Sequence, residues 1–318
     1  MKPLEGRIAL VAGATRGAGR GIATMLGEAG ATVYCTGRSA RGRPASGPNR
    51  PETIDETAEL VDARGGRGIA VRVDHSVEEE VIALVERIRR EQGRLDILVN
   101  DIWGGEQLVE FGPPFWKQSA AKGQLMFERA VFTHLLTNRH AVPLMVEKNQ
   151  GLIVEVTDGN HFGYRGSLWY DLVKMTVIRL AFGMSRELRR TKVTALAVTP
   201  GFLRSEEMLE HFGVTEANWR DGAKVMPDFI CSETPFFVGR AVAALAADPN
   251  VGAKAGRVFA SWDLAREYNF TDVDGSQPHW AEHFARTYGK PYSIADEAAY
   301  ASWLDSSIEV VKPDWPSY

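Results

Sequence analysis

The chain is poor in cysteine, with two among 318 residues, Cys35 and Cys231, far apart and neither in a Cys-x-x-Cys pair. That rules out a disulfide framework and fits a reducing compartment, with both thiols as apolar filler. No metal ligand set is expected. No stretch approaches the ~18 uninterrupted apolar residues that span a bilayer, so no membrane segment is expected. The opening Met-Lys-Pro-Leu-Glu-Gly-Arg has no apolar run behind its basic residue, which argues against a secretory leader and for a cytoplasmic protein. Blocks of one charge sign are also missing, and 37 Lys+Arg against 41 Asp+Glu leave a net charge of −4. That balance gives neither a nucleic-acid footprint nor attraction to an anionic membrane. The expected partner is a small molecule.

What is present suffices for one large α/β domain, since 44% of the residues are hydrophobic. Seven apolar runs of β type lie at 7–14, 31–37, 69–74, 95–100, 152–157, 193–199 and 257–261. Stretches of helical period separate them, at 18–29, 53–64, 77–92, 124–147, 170–190 and 233–247. Near-continuous apolar strands between helices predict a parallel sheet covered on both faces. Right-handed crossovers make it a Rossmann-type doubly wound sheet. Residues 39–51, rich in Gly, Pro, Arg and Ser, read as a surface loop. The tail is too short for a domain of its own, although 294–304 has helical character. The expectation is a single domain over 1–268 with a C-terminal extension over 269–318.

Between the first strand and the first helix runs Ala12-Gly13-Ala14-Thr15-Arg16-Gly17-Ala18-Gly19-Arg20-Gly21. Glycines here allow a tight turn and close backbone approach to a phosphate, and the helix N-terminus then faces a pyrophosphate. Gly13, Thr15, Arg16, Gly17 and Gly19 are therefore candidate cofactor residues. An NAD enzyme wants a carboxylate at the end of the second strand to meet the ribose 2′-hydroxyl. This strand ends Cys35-Thr36-Gly37-Arg38-Ser39, with no acid. Arg38, flanked by Ser39, and Arg16 in the loop suit a 2′-phosphate, so NADP(H) is expected over NAD(H).

Tyr170 and Lys174 are spaced i,i+4 at a helix start and so share a face. A phenol titrates near ~10, and a neighbouring ammonium brings it toward the range of a proton shuttle.

Taken in order, Gly13-x3-Gly17-x-Gly19, Leu98-Val99-Asn100, Tyr170-x3-Lys174 and Pro200-Gly201 resemble the short-chain dehydrogenase/reductase superfamily over about residues 5–268. Gly151-Leu152-Ile153-Val154, Glu187-Leu188-Arg189-Arg190 and Asp263-Leu264-Ala265-Arg266 extend the likeness to its member-one branch, associated with carbonyl and steroid reduction. The resemblance implies that Asp74, helped by the His75 backbone, meets the adenine amino group. It implies that Asn100 supports the central strand and lines the nicotinamide side, and that Lys174 also holds the nicotinamide ribose. Pro200, Gly201, Phe202 and Ser205 would wrap the carboxamide. About 201–231 would form a lid over the substrate, and the chain would assemble as a homodimer or homotetramer.

The sequence departs from that family in its substrate half. A serine about a dozen residues before the tyrosine is replaced by either Thr157 or Asp158, depending on how the spacing is counted. Thr157 offers a hydroxyl donor, whereas ionised Asp158 only accepts and would repel a forming alkoxide. The position of a proton-relaying asparagine falls near Ala130, and the segment after the fourth strand reads Asn100-Asp101-Ile102-Trp103. The leading expectation is NADP(H)-dependent hydride transfer to or from a bulky, partly apolar carbonyl or alcohol, with Tyr170 as acid/base and Lys174 as its activator. Two alternatives stand beside it. One is a C=N or amino-bearing substrate or a non-redox tailoring step, and the other is a dinucleotide sensor without catalysis.

Overall fold

The computed structural model describes residues 2–43, 50–161, 163–289 and 292. Residues 44–49 of the expected surface loop and the helical stretch at 294–304 lie outside the described residues.

Each apolar run forms a strand: β1 Ile8–Ala12, β2 Thr32–Gly37, β3 Arg67–Arg72, β4 Ile97–Asn100, β5 Gly151–Val156, β6 Val193–Thr199 and β7 Val258–Ala260. They pair in parallel in the order β3-β2-β1-β4-β5-β6-β7. The chain therefore forms the doubly wound sheet expected of it. Strand order reverses between β1 and β4, the point where such sheets open a crevice for a ligand. The helices are α1 Gly17–Glu28, α2 Ile54–Ala63, α3 Glu78–Gln92, α4 Ala120–Phe127, α5 Thr133–Lys148, α6 Leu168–Glu187, α7 Glu206–His211, α8 Pro235–Ala247, α9 Ser261–Glu267 and α10 Trp280–Tyr288.

Alternation along each strand divides the core in two. Val11, Val33 and Val99 pack on one face with Ile22 of α1, Val61 of α2 and Val242 of α8. Leu10, Tyr34 and Leu98 pack on the other with Leu84 of α3 and Leu144 of α5. Helices α1 and α8 approach closely because Gly21 has no side chain: a Cβ there would lie 1.9 Å from the Pro235 carbonyl oxygen. This contact holds the N-terminus of α1 at the switch point.

The helix expected over 124–147 runs without a break from Ala120 to Lys148 but is not α throughout. A π-turn at Glu128–Phe132 joins α4 to α5. Its extra residue offsets the two helix faces, an adjustment often found near functional sites. Ala130 and Val131 point into the core there.

Candidate active site

The C-terminal ends of the strands open into one cavity of about 1130 Å³. Its lining includes Gly13, Thr15, Arg16, Gly17, Arg38, Ser39, Asp74, His75, Thr157, Asp158, Tyr170, Lys174, Pro200, Gly201, Phe202 and Ser205. Two of the expected residues do not line it. Asn100 lies beneath, its amide donating to Glu155 Oε1 at 2.9 Å and to Asn138 Oδ1 at 3.1 Å. Gly19 sits behind the loop, its N–H donating to Asp101 Oδ2 at 2.5 Å.

At the loop, Gly13 has φ +91°, and a Cβ on it would meet the Asp101 carbonyl oxygen at 2.4 Å, so glycine is required. The Gly17 N–H donates to Glu206 Oε2 of α7 at 2.8 Å. Arg16 and Arg38 face the same cavity, and among the described residues neither side chain has a hydrogen-bond or ion-pair partner. Asp74 Oδ1 accepts from the Ser76 N–H at 3.0 Å and the Ser76 hydroxyl at 2.6 Å, a local turn. Burial opposes its ionisation, but those bonds and the Arg38 charge hold its carboxyl below the usual range. His75 is buried, its ring nitrogens 2.8 Å from Thr36 Oγ1 and 2.9 Å from Thr137 Oγ1. Burial, aided by the nearby His134, pushes it down to about 3, so it stays neutral.

At the other end, Tyr170 and Lys174 rise from the first turns of α6, and Asp158 follows β5. The Tyr170 hydroxyl donates to Asp158 Oδ2 at 2.7 Å. Burial and then the Asp158 charge raise the phenol well above its ordinary range. Lys174 is lowered by burial, against the pull of Asp158 and Asp101, and its Nζ lies 4.3 Å from the centre of the Trp103 ring. Thr157 is nine-tenths buried or more, and its hydroxyl donates to the Lys174 carbonyl at 2.9 Å. Its proton is thus committed to α6. Arg165 fastens the intervening loop, donating to the Asp158 carbonyl at 2.6 Å and pairing with Asp171 at 3.1 Å.

Several lining residues had no motif to announce them. Asp101 is half-buried, and desolvation pushes it up to about 7. The ring of Trp103 stands edge-on to Tyr170 at 5.5 Å, and that of Phe111 at 6.1 Å. From the C-terminal extension, Trp280 of α10 and Tyr292 close one side. Under the cavity, Glu155 accepts from His134 Nδ1 at 2.6 Å and from Asn138 at 2.7 Å, which together anchor β5 to α5. The segment 201–231, expected to act as a lid, contains α7 and two short 3₁₀ turns, Trp219–Lys224 and Pro227–Cys231.

Comparison with known proteins bears on this arrangement. A family model described as short chain dehydrogenase matches residues 7–214. The chain is 37% identical over 311 residues to dehydrogenase/reductase SDR family member 1 of Mus musculus, covering 96% of this chain and 93% of that protein. Its counterpart in Homo sapiens is 35% identical over 310 residues with the same coverage. A solved short chain dehydrogenase from Mycobacterium thermoresistibile aligns with TM-score 0.72 at 20% identity, over 87% of this chain and 92% of that one. A hydroxysteroid dehydrogenase from Escherichia coli aligns with TM-score 0.65 at 22% identity, over 81% and 96%. At those identities the solved structures speak for the fold alone.

Proposed function

Because the chain belongs to the short-chain dehydrogenase family, we propose that it is an NADP(H)-dependent oxidoreductase that reduces a bulky, partly apolar organic molecule. The observation that carries this reading is the convergence of the glycine loop, Arg38 and the Tyr170–Lys174 pair on one cavity.

The residues at the dinucleotide end fit the cofactor. Arg16 and Arg38 offer two guanidinium groups with no partner among the described residues, and no acid stands at the end of β2 to meet a 2′-hydroxyl. The N-terminus of α1 would receive the pyrophosphate, with Glu206, which accepts from the Gly17 N–H at 2.8 Å in the cofactor-free chain, giving up that donor. Asp74 belongs with the adenine in this reading, and Pro200, Gly201, Phe202 and Ser205 with the carboxamide. When bound, the reduced nicotinamide supplies a hydride.

The chain's own residues manage the proton. Tyr170 keeps its proton at neutral pH, because burial and the Asp158 charge disfavour the phenolate. Its hydroxyl is therefore a donor, which favours the reductive direction. The lowering expected from Lys174 is outweighed in the resting site, and Lys174, its Nζ 5.6 Å from the centre of the Tyr170 ring, is assigned the role of supporting the phenolate as the proton leaves. Trp103 and Phe111 supply apolar walls beside Tyr170, and the segment at about 201–231 closes over them. The test is NADPH-dependent turnover by Tyr170→Phe. Loss of turnover with cofactor binding intact is expected, and retained turnover would remove Tyr170 from its role.

A further inference from the structure

Resting on that hydride-transfer reading, we propose that the group reduced is a carbon–nitrogen double bond, an imine, protonated in the site and held through its N–H by the Asp158 carboxylate.

The argument is an inventory of donors around Tyr170. Ionised Asp158 can only accept, and Oδ2 already takes the Tyr170 proton at 2.7 Å. The Thr157 hydroxyl proton is spent on the Lys174 carbonyl. Ala130 offers no polar group. Arg165 does not neutralise Asp158: its side-chain bonds go to the carbonyls of Asp158, Gly159 and His161 and to the Asp171 carboxylate. A substrate group that reaches Tyr170 therefore meets a carboxylate acceptor that forms no close ion pair among the described residues, its charge offset only at longer range by the Lys174 ammonium. A carbonyl oxygen has no proton to give Asp158, and it gathers negative charge as hydride arrives, next to a fixed negative charge. A protonated C=N group reverses both mismatches, because its N–H donates to Asp158 and its positive charge is cancelled by the hydride.

The step balances. The imine nitrogen takes the Tyr170 proton, and the resulting N–H donates to Asp158. The imine carbon takes a hydride from reduced nicotinamide, and the C=N π pair becomes the nitrogen lone pair. The products are a secondary amine and oxidised nicotinamide, and water returns the proton to the Tyr170 oxygen.

The experiment compares 3,4-dihydroisoquinoline with its neutral ketone counterpart, 1-tetralone, in wild type and Asp158→Asn. Asn retains an oxygen for the Tyr170 hydroxyl, so the loop keeps its contact. Wild type is expected to prefer the imine in kcat/KM. Asp158→Asn is expected to lower the imine value by about 10- to 1000-fold, the loss typical of a desolvated charge partner, and to raise the ketone value. A second readout needs no turnover. Tetrahydroisoquinoline, cationic at neutral pH, is titrated by tryptophan fluorescence into the NADP⁺-loaded protein against neutral 1-tetralol. Tighter binding of the amine in wild type, lost in Asp158→Asn, supports the proposal. A ketone preference in wild type, or amine binding indifferent to Asp158→Asn, overturns it. NADPH affinity is measured without substrate, and failure of NADPH to bind would overturn the hydride-transfer reading itself.

Discussion

Replacing Asp101 by Asn should change how stability depends on pH. Asp101 follows β4 and is half-buried at the cavity wall, with its carboxylate on the Gly19 N–H at 2.5 Å. Burial lifts its pKa from the ordinary 3.8 to about 7, against the opposing Lys174 charge and the Gly19 bond. Between those values the folded protein keeps a proton that the unfolded chain has lost, so stability falls as pH rises from about 4 to about 7. Each pH unit across that window corresponds to about 1.4 kcal/mol. From pH 5 to the folded value is roughly two units, hence a loss on the order of 2–3 kcal/mol in wild type that Asn does not suffer. Asn also leaves an oxygen for Gly19. Buried Glu233, raised to about 8, acts in the same direction but is common to both proteins and cancels in the difference. Urea unfolding of the cofactor-free protein at pH 5, 6, 7 and 8 measures the effect. Asp101→Asn should gain about 2–3 kcal/mol on wild type across that range. Parallel pH dependences, or wild type gaining on the variant as pH rises, would refute the reasoning.

NADPH should bind about 10- to 100-fold more tightly than NADH, from charge-assisted bonds to Arg16 and Arg38, and Arg38→Glu should erase the preference in a fluorescence titration. Equal affinities in wild type would count against the 2′-phosphate assignment. Phe132, Leu135 and Leu172, on the π-turn, α5 and α6, are 54%, 43% and 41% exposed, more apolar surface than a lone subunit needs there. Light scattering at micromolar concentration should report a dimer or tetramer, reduced to monomer by Leu135→Lys; a wild-type monomer would contradict this.

Much of the fold was readable because its signals are local. Apolar runs bounded by glycine and separated by helical periods are direct consequences of a parallel sheet buried on both faces. The π-turn was not readable, since it depends on how α4 and α5 pack rather than on residue preference. At the site, Gly13, Gly17, Arg38, Tyr170 and Lys174 could be singled out from spacing together with their place at strand ends and helix starts, and they line one cavity. The choice between Thr157 and Asp158 could not be made that way. Thr157 is drawn away by a backbone carbonyl 17 residues later, and backbone acceptors leave no trace in residue type. Glu206 reaches Gly17 across 189 residues, and Trp280 and Tyr292 arrive from the extension, contacts that only the folded chain brings together.

The central claim is proton donation by Tyr170 in an NADPH-dependent reduction. The direct measurement pairs NADPH titration with steady-state turnover for wild type and Tyr170→Phe, over a panel of ketones and cyclic imines. The account predicts cofactor affinity unchanged within about twofold and kcat lowered by about 10²- to 10⁴-fold, the share general acid catalysis usually supplies. Turnover by Tyr170→Phe within about threefold of wild type, on the substrate that wild type reduces best, would contradict it.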